Sequence, residues 1–188
     1  MTRARTLALP LALVATLTAC GGGSNDAGPQ VPAPTTAPTN APTPTSSCVA
    51  APPTAPAPAG ASTDLSVKPA VTVADTPPPC DLQTIDLVVG KGTEAKDGSS
   101  VAVKYLGLLY AGGKEFDSSW SRGPTQTLPF TIGGGVIPGF SNGTKGMRVG
   151  GRREIVIPSK DGYGADGSPP VIPPNADLIF VVDLVKVG

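Results

Sequence analysis

The sequence contains no histidine, and its 14 basic side chains are balanced by 14 acidic ones. Without histidine the chain has no Ser-His-Asp or Cys-His catalytic machinery, no imidazole zinc site and no ordinary proton shuttle at neutral pH. The balanced charge provides no basic surface of the kind that binds nucleic acid. We therefore expect no metal site, no nucleic-acid partner and no histidine-dependent hydrolysis.

Long apolar runs are also absent, and the apolar stretch near the start covers only residues 7–19. That stretch is too short to cross a bilayer core of about 30 Å. Arg3 and Arg5 precede it and small residues end it, which is typical of a secretory signal peptide. We therefore predict that residues 1–19 are a signal peptide and take no part in the fold.

Residues 17–20 read Leu-Thr-Ala-Cys and are followed by three glycines. This pattern resembles the lipobox of bacterial lipoproteins. The resemblance implies cleavage before Cys20, a diacylglyceryl thioether on its sulfur and an acylated amine, and several acyl chains anchor a protein stably. We expect a lipid-anchored protein of the bacterial cell envelope, periplasmic or surface-exposed, with Gly21 favouring the outer membrane. The alternative is an ordinary cleaved signal peptide with a chance cysteine.

Two of the three cysteines remain once Cys20 is lipidated. Cys48 and Cys80 are an even number in an oxidising compartment, so we predict that they pair. The closed loop of roughly 30 residues would stabilise the fold by about 3 to 4 kcal/mol in the chain-entropy model. The alternative is two unpaired thiols in a tether, because spacing alone does not establish proximity.

Residues 20–80 are rich in Pro, Ala, Thr, Gly and Ser. Such a stretch buries too little apolar area to offset the entropy of ordering it, and its prolines favour extended polyproline II. We predict a lipidated N-terminus followed by a disordered linker. A short apolar alternation at 65–67 and 71–73 is compatible with one extra strand near the domain.

Residues 81–188 have the length and composition of a single folded domain. Alternating apolar positions predict strands over 85–89, 101–110, 128–132, 153–157 and 178–187. One short helix is predicted from Pro138 to about residue 145, because proline suits the first turn. Gly139 and Gly143 make this helix dependent on packing. The pattern predicts an α+β domain with a largely antiparallel sheet wrapped on one helix.

Several motifs occur in a fixed order in this domain: VKYLG at 103–107, KEFDSS at 114–119, GVIPGF at 135–140, DGYG at 161–164 and IPPNA at 172–176. Together they closely resemble the FK506-binding-protein (FKBP) family of peptidyl-prolyl cis–trans isomerases. The resemblance covers nearly all of residues 85–188. It implies a twisted antiparallel sheet curled around a short helix, with an apolar pocket between them that accepts a prolyl ring. It implies no cofactor.

The resemblance also assigns roles to particular side chains. Asp117, Tyr163 and Phe116 are the expected catalytic residues, with Asp117 ordering Tyr105 and Arg122 and not acting as a base. The Ile137 backbone N–H and the Tyr163 hydroxyl are expected to bind peptide carbonyls. Phe140 is expected to form the floor of the pocket. The substrate-binding set is Tyr105, Val136, Ile137, Phe140, Ile172 and Phe180.

Each of these residues has a simpler explanation when taken alone. Phe116, Val136, Ile137 and Phe180 would be core residues in many small β-rich domains, and Asp117 before two serines could form an Asx turn. Leu128 occupies a lining position that is often aromatic in the family. Trp120 is expected at the surface or the pocket rim and not on its floor.

The predicted function is isomerisation of X-Pro bonds in exported or envelope proteins. The expected partners are proline-containing polypeptide segments, with macrolides such as tacrolimus or rapamycin as inhibitors and membrane contact through the lipid anchor only. The alternative is a non-catalytic adaptor that binds proline-containing peptides. Hydrolysis by an acid pair is a poor fit, since Asp161 and Asp166 lie in a glycine-rich loop, and the ligand spacing of a Ca²⁺ loop is missing.

Overall fold

The computed structural model describes residues 48–50, 62–73 and 75–188. The predicted signal peptide, the lipidation site at Cys20 and most of the predicted linker lie outside these residues. None of the helices in the described ranges has both the length and the apolarity that crossing a bilayer requires.

The described part of the chain contains six strands and one α-helix. The strands are β1 (Gln83–Val88), β2 (Ser100–Leu109), β3 (Glu115–Ser118), β4 (Leu128–Thr131), β5 (Arg152–Ile157) and β6 (Leu178–Val187), and the helix is α1 (Pro138–Thr144). All strand pairs are antiparallel, in the order β1-β5-β6-β2-β3, and β4 pairs with β2. The predicted α+β architecture is confirmed, while β3 is an additional strand.

Alternation along β2, β5 and β6 divides the sheet into two faces. The cross-strand register aligns Ile155, Phe180 and Gly107 on the inner face, which α1 covers. The same register aligns Glu154, Val181 and Leu106 on the opposite face, here called the outer face. The main core lies between the inner face and α1 and includes Tyr105, Phe140, Ile157 and Leu178.

Helix α1 lies very close to β5 because two of its residues have no side chain. A Cβ atom on Gly139 would be 2.3 Å from Cγ2 of Ile157, and one on Gly143 would be 2.4 Å from Cγ2 of Ile155. The two glycines that weaken the helix by itself therefore let it pack on the sheet. This approach places Phe140, on the same helix, against the ring of Phe180 at 4.9 Å between centroids.

Part of the predicted linker lies against the domain. The structure joins Cys48 to Cys80 by a disulfide with the Cα atoms 5.0 Å apart, and Val49 and Pro79 form a short parallel bridge beside it. Residues 62–73 lie over the outer face of the sheet without forming a strand. This differs from two predictions, the disordered linker that extends to residue 80 and the extra strand at 65–67 and 71–73. The physical reason is that apolar side chains and backbone carbonyls of this segment find partners on the sheet.

Candidate functional site

A cavity of about 280 Å³ opens between the inner face of the sheet and α1. Five aromatic side chains contribute to its wall, three from β2, β3 and β6, one from α1 and one from the loop after β5. The lining residues are Tyr105, Phe116, Asp117, Leu128, Gly135, Val136, Ile137, Phe140, Tyr163 and Phe180. The structure thus brings together eight of the nine pocket residues expected from the motifs, and Leu128 as well.

Ile172 is the exception among the expected pocket residues. It is 3% exposed and belongs to the buried core cluster, not to the cavity wall. Its backbone carbonyl accepts a hydrogen bond from the N–H of Ser168 at 2.8 Å, and its N–H donates to the carbonyl of Ser168. Ile172 therefore anchors the loop that carries Tyr163 from the core side.

The aromatic rings meet edge to face. Phe116 and Phe180 are 5.5 Å apart with an interplanar angle of 88°, and Tyr105 and Phe140 are 6.0 Å apart at 82°. Such contacts fix ring orientations and stabilise the packing beyond the area that they bury. Ring edges carry partial positive charge, so the wall combines apolar surface with a weak preference for electron-rich groups such as carbonyl oxygens.

Gly107 in β2 is required for this arrangement. A Cβ atom there would be 2.8 Å from Cζ of Phe116 and 2.9 Å from Cε1 of Phe180. Any side chain at position 107 would therefore displace the two rings that form this part of the wall. The motif VKYLG contains this glycine, but the sequence alone did not predict its role.

Polar groups at one side of the cavity form a closed network. The Tyr105 hydroxyl donates to Asp117 Oδ2, Arg122 Nη2 donates to the Tyr105 hydroxyl oxygen at 2.7 Å, and Arg122 Nη1 donates to Asp117 Oδ1 at 2.9 Å. Burial raises the pKa of Tyr105, and the hydrogen bond to Asp117 raises it further. Tyr105 therefore stays protonated at neutral pH and keeps donating to Asp117.

Two buried serines hydrogen-bond to members of this network. The Ser119 hydroxyl accepts from the N–H of Tyr105 at 2.9 Å, and the Ser118 N–H donates to Asp117 Oδ1 at 2.7 Å. Ser118 and Ser119 are 1% and 0% exposed. Ser119 supplies a hydroxyl where the strand pairing of β2 with β3 ends, just before the chain turns into the 3₁₀-helix Trp120–Arg122.

Two groups are available to bind a peptide that enters the cavity. The backbone N–H of Ile137, at the start of α1, donates to no acceptor among the described residues. Tyr163 lines the cavity and is 38% exposed, and its hydroxyl makes no hydrogen bond within the described ranges. Burial raises the pKa of Tyr163, and the charge of Asp117 adds to this effect. The hydroxyl is therefore a neutral donor at physiological pH.

Trp120 does not line the cavity. Its ring lies under the ammonium group of Lys104, with Nζ 4.4 Å from the ring centroid, and the indole N–H is buried without a partner among the described residues. The floor is instead formed by Phe140, as the motif resemblance implies. The chemistry available in the cavity is therefore binding and desolvation, because no side chain there is placed as a nucleophile with its own base.

Comparison with known proteins adds independent findings. Residues 91–185 match the model of the family described as FKBP-type peptidyl-prolyl cis-trans isomerase. A probable FK506-binding protein of Corynebacterium glutamicum is 42% identical over 119 residues, which cover 63% of this chain and 98% of that protein. An FK506-binding protein of Streptomyces anulatus is 45% identical over 122 residues, which cover 64% of this chain and 97% of that protein.

A solved structure matches the same part of the chain. The crystal structure of FkpA from Escherichia coli superposes with a TM-score of 0.51 and 42% sequence identity, over 56% of this chain and 47% of that one. This chain therefore matches about half of that longer protein. Residues 62–73, which lie over the outer face, precede the stretch that the family model matches.

Proposed function

The chain belongs to the family of FKBP-type peptidyl-prolyl cis–trans isomerases, and from that premise we propose that it accelerates X-Pro bond rotation in exported or envelope proteins through its apolar cavity. The observation that carries the proposal is the single hollow enclosed by Phe116, Phe140, Tyr163 and Phe180. Its volume of about 280 Å³ suits a small apolar ring with part of its flanking chain.

The reaction needs no acid, base or metal. Rotation about the X-Pro bond breaks no covalent bond, but it crosses a barrier of about 18 to 20 kcal/mol that arises from amide resonance. The planar amide is more charge-separated than the twisted one. An apolar cavity therefore destabilises the planar ground state relative to the twisted transition state, which lowers the barrier.

Polar groups serve mainly to orient the peptide. A hydrogen bond onto the rotating carbonyl would stabilise its planar form and oppose twisting. We assign the Ile137 N–H and the Tyr163 hydroxyl to carbonyls of the bound peptide for binding and orientation. The Tyr105 and Phe180 edges are then left to face the rotating carbonyl.

Catalysis is tested directly with a proline-containing reporter peptide. We expect purified protein to accelerate cis-to-trans conversion by about tenfold or more, equivalent to lowering the barrier by about 1.4 kcal/mol or more. Rapamycin is expected to abolish the acceleration, because it would occupy the same apolar cavity.

Equal conversion rates with and without the protein would rule out catalysis. Binding of rapamycin and of proline-containing peptides without acceleration would instead identify an adaptor. Leu128 lies in the cavity wall, at a position where the motif resemblance leads us to expect an aromatic side chain, and this is the feature that would favour the adaptor.

The envelope location rests on the N-terminal sequence, namely Arg3 and Arg5, the apolar stretch 7–19 and Cys20. We propose that Cys20 carries the lipid and that the protein is held at a membrane, with the outer membrane favoured. Substrates would then be proline-containing segments of proteins that have left the cytoplasm. The anchored chain would meet them before their folding is complete.

Replacing Cys20 by serine is expected to abolish incorporation of labelled palmitate in cells and to shift the protein from the membrane fraction to the soluble fraction, because the serine hydroxyl cannot form the thioether. Labelling followed by fractionation measures both effects. Cys80→Ser is the control and is expected to retain the label. A Cys20→Ser protein that still incorporates palmitate would contradict the proposal.

A further inference from the structure

The outer face of the sheet carries a second, smaller apolar cluster that is separate from the isomerase cavity. Leu106, Leu108, Val156 and Ile179 are each less than 9% exposed there. Residues 62–73, here called the strap, cover this face: Val71 and Val73 pack against the cluster. The strap thus hides an apolar surface that has no role in the chemistry of the cavity.

A single arginine of β5 holds the first half of the strap. Arg152 is completely buried, and its guanidinium donates to both carboxylate oxygens of Asp183, at 2.5 and 2.7 Å. The remaining donors reach three strap carbonyls, those of Ser62 at 2.6 Å, Asp64 at 3.0 Å and Val67 at 3.1 Å. All five N–H donors of the arginine are therefore used.

These contacts recognise the backbone of the strap, not its side chains. The strap has no regular secondary structure, and most of its residues are exposed. One further polar contact fixes it, the ion pair of Lys68 with Glu115 at 2.7 Å, and such exposed pairs contribute little. Apart from the Arg152 hydrogen bonds and the packing of Val71 and Val73, little holds the strap closed, and segments held by few contacts open locally before the whole domain unfolds.

A carboxyl group without a partner lies on the same covered face. Glu154 is between Arg152 and Val156 along β5 and opposite Val181 in the register, and it is 6% exposed. Its Oε2 atom is buried and has no hydrogen-bond partner among the described residues. An ionised carboxylate in such a place is strongly disfavoured unless it regains water.

We propose that the strap is a releasable cover over the apolar cluster of the outer face, and that ionisation of Glu154, which lies between the strap-binding Arg152 and Val156 of that cluster, releases it. With a neutral Glu154 the strap stays docked. Ionisation favours the open state, in which water reaches the carboxylate and the apolar cluster becomes accessible. The proposal does not depend on the isomerase activity, because the cavity lies on the other face of the sheet.

The direction of the pH effect follows from proton linkage. Burial raises the pKa of Glu154 from 4.5 to about 7 in the docked state. The docked state thus holds a proton that the open state loses, so opening becomes more favourable as the pH rises from about 4.5 to about 7 and then levels off.

Other charged groups face this region. Burial also raises the pKa of Asp183, against the opposing effect of Arg152, and hydrogen bonds from Ser66 lower the pKa of Asp64. Asp86 of β1 is paired with Arg153 towards the helix side. Besides Glu154, the charged groups on the covered face and the strap are Lys104, Arg152, Asp183, Lys186, Glu115, Asp64 and Lys68. A variant of Glu154 separates the contribution of Glu154 to the pH dependence from that of these other groups.

The test measures hydrogen exchange of the Arg152 Nε–H by nitrogen-15 NMR on the full chain, with protection factors corrected for intrinsic exchange. Between about pH 5 and about pH 8 we expect protection to fall roughly 70-fold, from the change in Glu154 pKa between 4.5 and about 7. In Glu154→Gln, which cannot ionise, this 70-fold fall should be absent. Glu94→Gln, at a partly exposed glutamate paired with Arg148, is the matched control and should keep the wild-type fall.

The methyl signals of Val71 and Val73 provide a second measurement in the unmodified chain, because they leave the apolar cluster when the strap opens. Glu154→Leu should behave like Glu154→Gln, which keeps the test valid if the glutamine variant fails to fold. Wild-type protection that is constant over this pH range would overturn the proposal. So would an unchanged pH dependence in either Glu154 variant.

Discussion

Replacing Asp117 by alanine is expected to lower kcat/KM for prolyl isomerisation by roughly 10- to 100-fold, equivalent to about 1.4 to 2.7 kcal/mol of transition-state stabilisation. Asp117 accepts hydrogen bonds from the Tyr105 hydroxyl, Arg122 and the Ser118 N–H. Without the carboxylate, the Tyr105 ring and the Arg122 side chain lose the group that orders them at the cavity wall. The reporter-peptide assay measures the loss.

Two comparisons make this prediction specific. Asp117 is 44% exposed in its side chain, so thermal unfolding should show that Asp117→Ala remains folded. Tyr163→Phe should reduce kcat/KM only by about two- to fivefold, since it removes one hydrogen bond that orients the substrate. A pH–rate profile separates ordering from proton transfer: a base would impose a titration on kcat, whereas an ordering residue leaves the same profile as in the wild type. An Asp117→Ala enzyme with wild-type kcat/KM would contradict the assignment.

The sequence predicted the long strands well and missed the short one. β2, β5 and β6 have six to ten residues with clear apolar positions, and their predicted ranges agree with the structure within one residue at either end. β3 has only four residues, Glu115–Ser118, and three of them are polar. Its strand conformation comes from pairing with β2, where Gly107 faces Asp117, and no local pattern records that pairing.

The site was predicted from ordered motifs and not from periodicity. Phe116 and Phe180 alternate into the core as any strand aromatics would, and only the motif resemblance assigned them to a cavity. Ile172 shows the limit of that reasoning. The motif resemblance assigned it to the pocket, whereas the structure buries it in the core cluster. Ser119 shows another limit, since its importance depends on where β2 and β3 stop pairing.

The strap could not be predicted from the composition of residues 20–80. Proline and alanine favoured an extended linker, and apolar residues such as Val71 and Val73 were too few to predict packing. Its main partner is Arg152, which is separated from Ser62 by 90 positions in the sequence. A charged residue at the start of a strand is ordinarily exposed, so its complete burial could be seen only in the structure.

Replacing Arg152 by alanine is expected to lower the free energy of unfolding by about 3 to 5 kcal/mol, the largest stability effect that we predict for a single substitution. The change leaves Asp183, which is 4% exposed, without its partner in an apolar environment, and it removes the donors that hold the strap carbonyls. Urea unfolding measures the loss. Arg148→Ala, which breaks a largely solvent-accessible pair with Glu94, is the matched control and should lose at most about 1 kcal/mol.

A double substitution separates two causes of the lost stability, the unpaired buried charge of Asp183 and the lost packing of the Arg152 side chain. Arg152→Met combined with Asp183→Leu removes both charges and keeps apolar volume, so it should recover most of the stability that Arg152→Ala loses, because no unpaired ion is left behind. We expect the strap to be open in this double variant, as in Arg152→Ala, because methionine cannot donate to the carbonyls of Ser62 and Asp64. Recovered stability with a persistently open strap would assign Arg152 two separable roles, neutralising Asp183 and binding the strap backbone. An equal loss in Arg152→Ala and Arg148→Ala would show that the buried pair contributes no more than an exposed one.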